Sequence, residues 1–577
     1  MPIHNADIAA IFEQIADLLE IEGANSFRVR AYRSAARQLT GMGEAVSDLV
    51  ARGADLTEIP TIGEDLAAKM REIVATGTCR TLDALRQEIP PSVSDLLKIP
   101  GLGPKRVRTL HRELDIQSLE QLARAAQDGR IRGIPGFGAK TEQAILQAVA
   151  AHAAGGGRIK LAVAAQYAEP LREYLQHAPG AEQVEIAGSY RRCRETVGDI
   201  DILVAARHSP GVMKAFVAYD EVSQVVAQGP TRATVLLKSG LQVDLRVVVP
   251  ESFGAALHYF TGSKAHNIEI RRLGQERGLK VNEYGVYRGK RRIAGETEES
   301  VYRVFGMAWI PPELRENRGE LEAARSGKLP RLVARPDLKG DLHAHTRETD
   351  GNATLAEMAE AARSCGFEYL AITDHSRRLT VARGLDPRRL RRQMAEIDRL
   401  NATMKGIRLL KGIEVDILDD GRLDLPDDVL GELDLVVGAV HSKFNLSRSQ
   451  QTERILRAME HPSFTILAHP TGRLLETREP YDVDLPRIIR QARERGCFLE
   501  LNAHPERLDL LDVYCQMAKE AGVRVSIDSD AHRVQDFQNL KYAVGQARRG
   551  WLEARDVLNT RPLHLLLPML RKTTRRP

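Results

Sequence analysis

From residue 1 to about residue 150, apolar side chains recur at three- and four-residue spacing, as in Ile8, Ile11, Phe12, Ile15, Leu18 and Leu19, which predicts a helical zone. An alanine-rich stretch then ends in Gly155, Gly156 and Gly157, and the pattern changes. Val184–Gly188, Gly198–Ala205, Thr234–Leu237 and Gln242–Val249 are short apolar runs bounded by turn residues, and they read as strands in a second zone that extends to about residue 320. Ser326–Pro336 is basic and proline-bearing, has no period, and reads as a linker. Beyond it, apolar runs at Tyr369–Thr373, Leu409–Val415, Leu435–Val440, Phe464–Ala468, Cys497–Leu501 and Val523–Ile527 alternate with helical segments, the texture of an α/β barrel.

One pattern occurs three times in the helical zone: Ile59-Pro-Thr-Ile-Gly63, Ile99-Pro-Gly-Leu-Gly103 and Ile134-Pro-Gly-Phe-Gly138, each followed by a helical stretch with a lysine (Lys69, Lys105, Lys140). Glycines at 63, 101, 103, 136 and 138 let a partner approach the backbone, and the free N–H groups of the following helix suit a phosphate oxygen. A single copy reads equally well as a tight interhelical turn, but three copies, each with a lysine, favour binding. The repeats resemble the helix-hairpin-helix motif, which implies contact with the DNA backbone without sequence readout. In the first copy Thr61 stands where the other two have glycine.

At 577 residues the chain is too long for one core and should hold about three or four domains. With 43% hydrophobic and 28% charged residues it is of the ordinary globular class, which excludes collagen-like, wholly disordered and membrane classes. No apolar run reaches the ~20 residues of a membrane span, and no basic segment precedes the first apolar positions. A cytoplasmic, nucleoid-associated protein is expected. The five cysteines form no Cys-x-x-Cys pair, so neither a disulfide framework nor a thiolate zinc site is suggested. A net charge of +5 permits a polyanionic partner without demonstrating one.

Gly198-Asp199-Ile-Asp201 puts two carboxylates on one face of a strand, and Asp244 lies on another strand that can run alongside. Carboxylates about 4 Å apart repel by roughly 4 kcal/mol per pair at an effective dielectric near 20, so the cluster calls for cations, and oxygen-only ligation favours Mg²⁺ or Mn²⁺. Gly188, Ser189 and Arg192 just upstream suit a triphosphate. This spacing resembles the nucleotidyltransferase superfamily. More narrowly, with Tyr259-Phe-Thr-Gly-Ser-Lys-Ala-His-Asn267 downstream, residues 1–320 resemble the X-family DNA polymerases. The resemblance implies that Asp199 and Asp201 bind both metals and that Asp244 activates the primer 3′-hydroxyl. It further implies that Ser189 and Arg192 hold the phosphates, that Tyr259 and Phe260, before Gly262, lie against the sugar, and that Asn267 and Arg271 face the minor groove. Lys264 falls where members vary and adds a phosphate or base contact. Val197 stands where some relatives have a phosphate-binding serine. Lys69 falls where lyase-active relatives carry a Schiff-base lysine, but Asp65 replaces a neighbouring lysine, and a solvated helix lysine near DNA is the favoured reading.

In the C-terminal zone His343, His345, Asp350, His375, Glu414, His441, His469, Asp530 and His532 fall at the C-terminal ends of successive strands, the rim where barrels of this class carry their sites. Imidazole with carboxylate suits Zn²⁺, Mn²⁺ or Fe²⁺, and nine ligands suffice for up to three ions and metal-assisted phosphoester hydrolysis. These positions resemble the polymerase and histidinol phosphatase (PHP) domain across residues 337–575, which implies a 3′→5′ exonuclease, with 3′-end processing and abasic-site cleavage as extensions.

The expected fold is thus multidomain: a helix-hairpin-helix 8-kDa-like domain (1–80), a fingers-like helical domain (81–152), an α+β nucleotidyltransferase palm (153–250), a thumb-like domain (251–325), a linker (326–336) and a distorted TIM-like PHP barrel (337–577). The implied function is DNA polymerisation on short gaps in base-excision repair, with a metal-dependent exonuclease. The expected partners are gapped or nicked duplex DNA and dNTPs, and a monomer is favoured. The rival readings are a template-independent nucleotidyltransferase, a non-enzymatic DNA-binding scaffold, and a barrel that acts as a small-molecule phosphatase. The basic tail (Arg571, Lys572, Arg575, Arg576) reads as a frayed terminus.

Overall fold

The computed structural model of the chain describes residues 3, 5–40, 42, 45–89, 92–93, 96–99, 102–154 and 158–574. It divides into two units, Met1–Ile159 with Lys238–Leu241, and Lys160–Leu237 with Gln242–Pro577. The first unit is helical. Its opening helices, Asn5–Glu22 and Ser26–Thr40, pair through the predicted stripe, with Ile8, Phe12, Ile15 and Leu18 fully buried and Phe12 edge-on to Tyr32 at 5.6 Å. In the repeats the apolar residue between the turn positions is the anchor, since Ile62, Leu102 and Phe137 are buried while Gly63, Gly103 and Gly138 precede the helices Glu64–Thr76, Pro104–Leu114 and Ala139–Ala154.

The second unit begins with a mixed sheet of β1 (Gln183–Ile186), β2 (Ile200–Ala205), β3 (Val222–Gln228), β4 (Arg232–Leu237) and β5 (Gln242–Val248), in the order β1-β2-β5-β4-β3. Only β2 and β5 run parallel, because a helix (Pro210–Val217) and the β3-β4 hairpin intervene between them. Leu203, Ala205 and Val248 on one face pack against Phe253, Ala256 and Leu257 of the helix Phe253–Thr261. That helix leads into a smaller body formed by Lys264–Glu276, a three-stranded antiparallel sheet, β6 (Leu279–Asn282), β7 (Gly285–Arg288) and β8 (Arg291–Ala294), and a core of Ile270, Tyr302, Phe305 and Leu314.

The C-terminal region is a broken parallel barrel. One sheet holds β9 (Gly340–Asp341), β10 (Tyr369–Ile372) and β11 (Arg408–Lys411), the other β12 (Glu414–Asp416), β13 (Val437–Ala439), β14 (Ile466–Leu467), β15 (Phe498–Asn502) and β16 (Val525–Asp528). Parallel bridges His375–Glu414 and Ala344–Ala531 join the sheets at both margins. Inward residues Leu342, Tyr369, Ala371 and Val437 form an inner cluster with Leu558, Leu566 and Leu570.

One sequence reading changes. The stretch taken as a linker is packed, with Val333 fully buried, its N–H bonded to the Leu552 carbonyl at 2.9 Å, and Leu332 bridged to Glu553. Its prolines and charges hid the two apolar residues that dock. The helix Leu563–Thr574, anchored by Leu566 and Leu570, runs into the basic tail and carries Arg571, which is exposed; Arg575 and Arg576 lie outside the described residues.

Candidate active sites

The parallel register of β2 and β5 sets Asp201 directly beside Asp244, about one strand spacing of 4.8 Å away, while Asp199, expected on the same strand face, lies in the bend just before β2, close enough for its charge to act on Asp201. Burial, followed by the charges of Asp199 and Asp244, pushes the Asp201 carboxyl up to about 7. Asp244 is fixed by its neighbours: Gln242 Nε2 donates to its Oδ2 at 2.7 Å and the Thr234 hydroxyl to its Oδ1. Gly188 follows β1 with φ +61°, and a Cβ there would overlap Asp201 Oδ2, so glycine lets this turn close over the carboxylate without displacing it. Ser189 is the next residue, in the short helix Gly188–Arg191. Three convergent carboxylates, one of them pushed up by burial and by the other two, form a donor set that fits hard divalent cations.

Arg192 lies close by but is engaged: its Nε donates to Glu316 at 3.0 Å and its Nη1 to the Thr261 carbonyl at 2.8 Å. Tyr259 and Phe260 meet edge-to-face at 5.2 Å, with Arg246 over the Phe260 ring at 4.9 Å and Arg271 over Tyr259 at 6.0 Å. Asn267 spends both amide donors inside this segment, on the carbonyls of Tyr259 (2.7 Å) and Gly262 (3.1 Å). It therefore fixes the aromatic turn. A Cβ on Gly262 would run into the Asn267 amide, which explains the glycine. Lys264 and Arg271 are exposed on the helix that follows.

In the barrel the ligand atoms form three overlapping sets: His343, His345 and Asp530; His345, Asp350, His375 and His532; and His375, Glu414 and His441. Glu414 is central. Its Oε1 lies 3.2 Å from His441 Nε2 and 2.9 Å from His469 Nε2, while its Oε2 lies 2.7 Å from His375 Nδ1 and 3.5 Å from His343 Nε2. His345 Nε2 is 3.1 Å from Asp530 Oδ1, and Asp350 Oδ2 is 3.3 Å from His375 and 3.5 Å from His532. His469 and Asp530 both hold φ in the left-handed region, at +28° and +52°, so strained backbone aims two of these side chains inward.

The fit to metal ions rests on these atoms. His343 Nε2, both ring nitrogens of His345, His375 Nδ1, His469 Nδ1, Asp350 Oδ1 and Glu414 Oε2 are buried without a hydrogen-bond partner, though several lie within ion-pair distance of one another. Burial, then His532 and His375, pushes His345 down to about 4, and burial with Arg507 pushes His469 down to about 3. Burial opposes ionisation of Glu414, yet His375, His441 and His343 hold it well below the usual carboxylate range. His345 and His469 are thus held neutral, whereas the neighbouring carboxylates, against the opposing effect of burial, raise His343, His375 and His441 and push His532 up to about 9, so a bound cation would take the place of protons on these rings. A further layer orients them: Glu500 Oε1 lies 2.6 Å from His343 Nδ1 and Asp416 Oδ1 3.0 Å from His441 Nδ1.

The sequence matches the helix-hairpin-helix domain over residues 3–79, the SAM-like helix-hairpin-helix tandem over 93–151, the DNA polymerase beta palm over 160–244, the DNA polymerase beta thumb over 256–316 and the PHP domain over 341–504. A Bacillus subtilis (strain 168) protein named DNA polymerase/3′-5′ exonuclease PolX is 39% identical over 568 residues, 97% of this chain and 98% of that relative. The chain belongs to the bacterial X-family DNA polymerases that carry a PHP domain. A probable phosphatase of Thermoanaerobacter sp. (strain X514) is 29% identical over 38% of this chain and 89% of its own length. A solved structure of Leishmania infantum polymerase beta in a ternary complex covers 39% of this chain and 98% of its own at 23% identity and a TM-score of 0.26, too loose a likeness to carry an argument.

Within this X-family chain, the turn glycines Gly63, Gly103, Gly136 and Gly138 have open space where a side chain would project, and Lys105 and Lys140 are exposed. Gly101 lies outside the described residues. Thr61 adopts φ +65°, so the first repeat reaches the left-handed turn that Gly136 makes at +87° without a glycine. Lys69 is paired with Asp65 one helical turn away. Although burial pulls its pKa down, Asp65 and Tyr32 raise it overall, the opposite of what a Schiff-base nucleophile needs. Sequence reasoning missed Glu316, Glu500, Asp416 and Arg507, whose Nε lies 3.8 Å from Asp530. Of these, Glu500 had a signal, since it sits on the predicted strand Cys497–Leu501 that leads into the ligand rim, whereas Asp416 falls one residue beyond the predicted run Leu409–Val415.

Proposed function

We propose that this chain fills short gaps in duplex DNA during base-excision repair at the carboxylate site and removes 3′ nucleotides at the histidine site, as a cytoplasmic enzyme acting on the nucleoid. Asp199, Asp201 and Asp244 would hold Mg²⁺ or Mn²⁺, which when bound neutralises the triphosphate and polarises the phosphorus under attack. Asp244, oriented by Gln242 and Thr234, accepts the proton of the primer 3′-hydroxyl. Ser189 and Arg192 bind the incoming phosphates, and the Tyr259–Phe260 turn, ordered by Asn267, packs against the deoxyribose. In the barrel, His343, His345, Asp350, His375, Glu414, His441, His469, Asp530 and His532 would hold up to three Mn²⁺, Zn²⁺ or Fe²⁺ ions, which supply a hydroxide and a phosphate clamp. Trimming of blocked 3′ ends and cleavage at abasic sites are extensions of the same hydrolysis. The exposed repeat turns, with Lys105 and Lys140, hold the DNA backbone.

The observation that carries this reading is the Asp201–Asp244 register beside Asp199, in the same chain as a rim of overlapping histidine–carboxylate sets. The test is a gapped duplex incubated with and without dNTPs in Mg²⁺ or Mn²⁺. Asp201→Asn should abolish extension while shortening from the 3′ end continues, and His343→Ala should do the reverse. Loss of both activities in either variant would overturn the division of labour.

A further inference from the structure

Arg192 is already held by a carboxylate, and that carboxylate is shared with the barrel. Glu316 Oε1 accepts from Arg192 Nε at 3.0 Å and from Arg549 Nη1 at 2.9 Å. Arg549 Nη1 also donates to the Arg192 carbonyl at 2.9 Å, while its Nη2 pairs with Asp512 Oδ2 at 2.9 Å, and Arg318 reaches the same Asp512 oxygen at 3.0 Å. Helix Leu540–Arg549 is pressed against the turn that follows Arg192: a Cβ on Gly545 would lie 2.8 Å from that of Cys193, and Gln546 Nε2 donates to the Cys193 carbonyl at 2.9 Å. The Arg549 side chain is 6% exposed and that of Glu316 11%.

A triphosphate and Glu316 compete for one guanidinium. If Arg192 turned to a phosphate with nothing else on Glu316, a largely buried carboxylate would be stranded, and a stranded buried charge is far costlier than the pair it came from. Arg549 removes that cost by keeping Glu316 neutralised whichever way Arg192 points, since the remaining cation, Arg194, is more exposed and stands off at 3.9 Å from the same oxygen. We propose that Arg549, a residue of the C-terminal barrel, is a positioning residue for DNA synthesis that holds Glu316 so that Arg192 is free to take the phosphates of an incoming dNTP. The proposal rests on the reading of Arg192 as a triphosphate ligand. Without Arg549, Glu316 grips Arg192, and nucleotide binding weakens while the chemical step, once reached, is unchanged.

The test uses the full chain, with steady-state gap filling by dTTP opposite a templating adenine and exonuclease on a 3′-labelled single strand. Arg549→Ala should raise KM for dTTP about tenfold, the size of one charge-assisted hydrogen bond, with kcat and exonuclease rate within about twofold of wild type. Arg549→Lys should fall between the two. Adding Glu316→Gln to either variant should bring KM back down, because the competitor is gone; a role in packing alone would give no such rescue. Unchanged KM in Arg549→Ala, or a raised KM that Glu316→Gln does not relieve, would overturn the proposal. Should Arg549→Ala not fold, Arg549→Lys with and without Glu316→Gln decides by the same two readouts. Arg192→Ala separates the two layers: a raised KM there with none in Arg549→Ala rejects only the positioning role, and an unchanged KM there rejects the triphosphate reading and the proposal with it.

Discussion

Gly188 offers the sharpest test of the polymerase centre, because the structure says what an added methyl group meets. At φ +61° an alanine adopts a conformation that costs it about 1–2 kcal/mol, and its Cβ overlaps Asp201 Oδ2. The Asp201 backbone cannot give way, since its carbonyl accepts from Ala187 N–H at 2.7 Å and its strand pairs with β1 and β5. The carboxylate must therefore rotate away by on the order of 1 Å to restore ordinary contact. A displacement of that size at a reacting centre costs about 10²-fold in rate, or about 2.7 kcal/mol of barrier. The assay is single-nucleotide gap filling at saturating dNTP, with 3′→5′ hydrolysis measured on the same preparation as the internal standard. Gly188→Ala should lower kcat for synthesis about 100-fold and leave hydrolysis unchanged. Synthesis within twofold of wild type would refute the argument that this carboxylate's position governs the rate.

Three other outcomes are expected. Because the folded pKa of Asp201 is raised to about 7 from 3.8, the folded state binds more protons than the unfolded state between those values, so its stability should fall as pH rises from about 4 to about 7. Mg²⁺ should therefore raise Tm more at pH 8 than at pH 5, and Asp201→Asn should remove that difference in a thermal melt. Glu414→Gln, which touches more histidines than any other carboxylate of the rim, should lose more than one equivalent of bound Mn²⁺ by calorimetry and abolish exonuclease while sparing gap filling. Lys69, kept protonated by Asp65, should give no borohydride-trapped adduct with a nicked abasic duplex at pH 7.5, and trapping should rise in Asp65→Ala; a strong adduct in the wild-type chain would reverse this.

What could be read in the chain was whatever depends on local period. The His343–His345 pair and the buried anchors of the repeats follow from which way consecutive side chains point, and the strand ends of a barrel are where its ligands must fall, whereas Asp199 sits in a bend ahead of the strand that carries Asp201. Non-local partners could not be read. Nothing near Arg192 in sequence announces Glu316, 124 residues away, and nothing near Glu316 announces Arg549. The docked segment Leu332–Val333 looked like a linker because two apolar residues among basic ones carry no period, although two are enough to pin a short stretch to a neighbouring surface. Thr61 departs from the glycine of the other two repeats, yet its turn forms in the same left-handed basin as that of Gly136.

The margin of the barrel closes through Ala344 and Ala531, and its ligands run from His343 to His532. A ribosome that has finished the carboxylate sheet must therefore deliver almost 300 further residues before the last imidazole can join the first. A product that stops short of His532 therefore lacks a member of the rim's ligand sets.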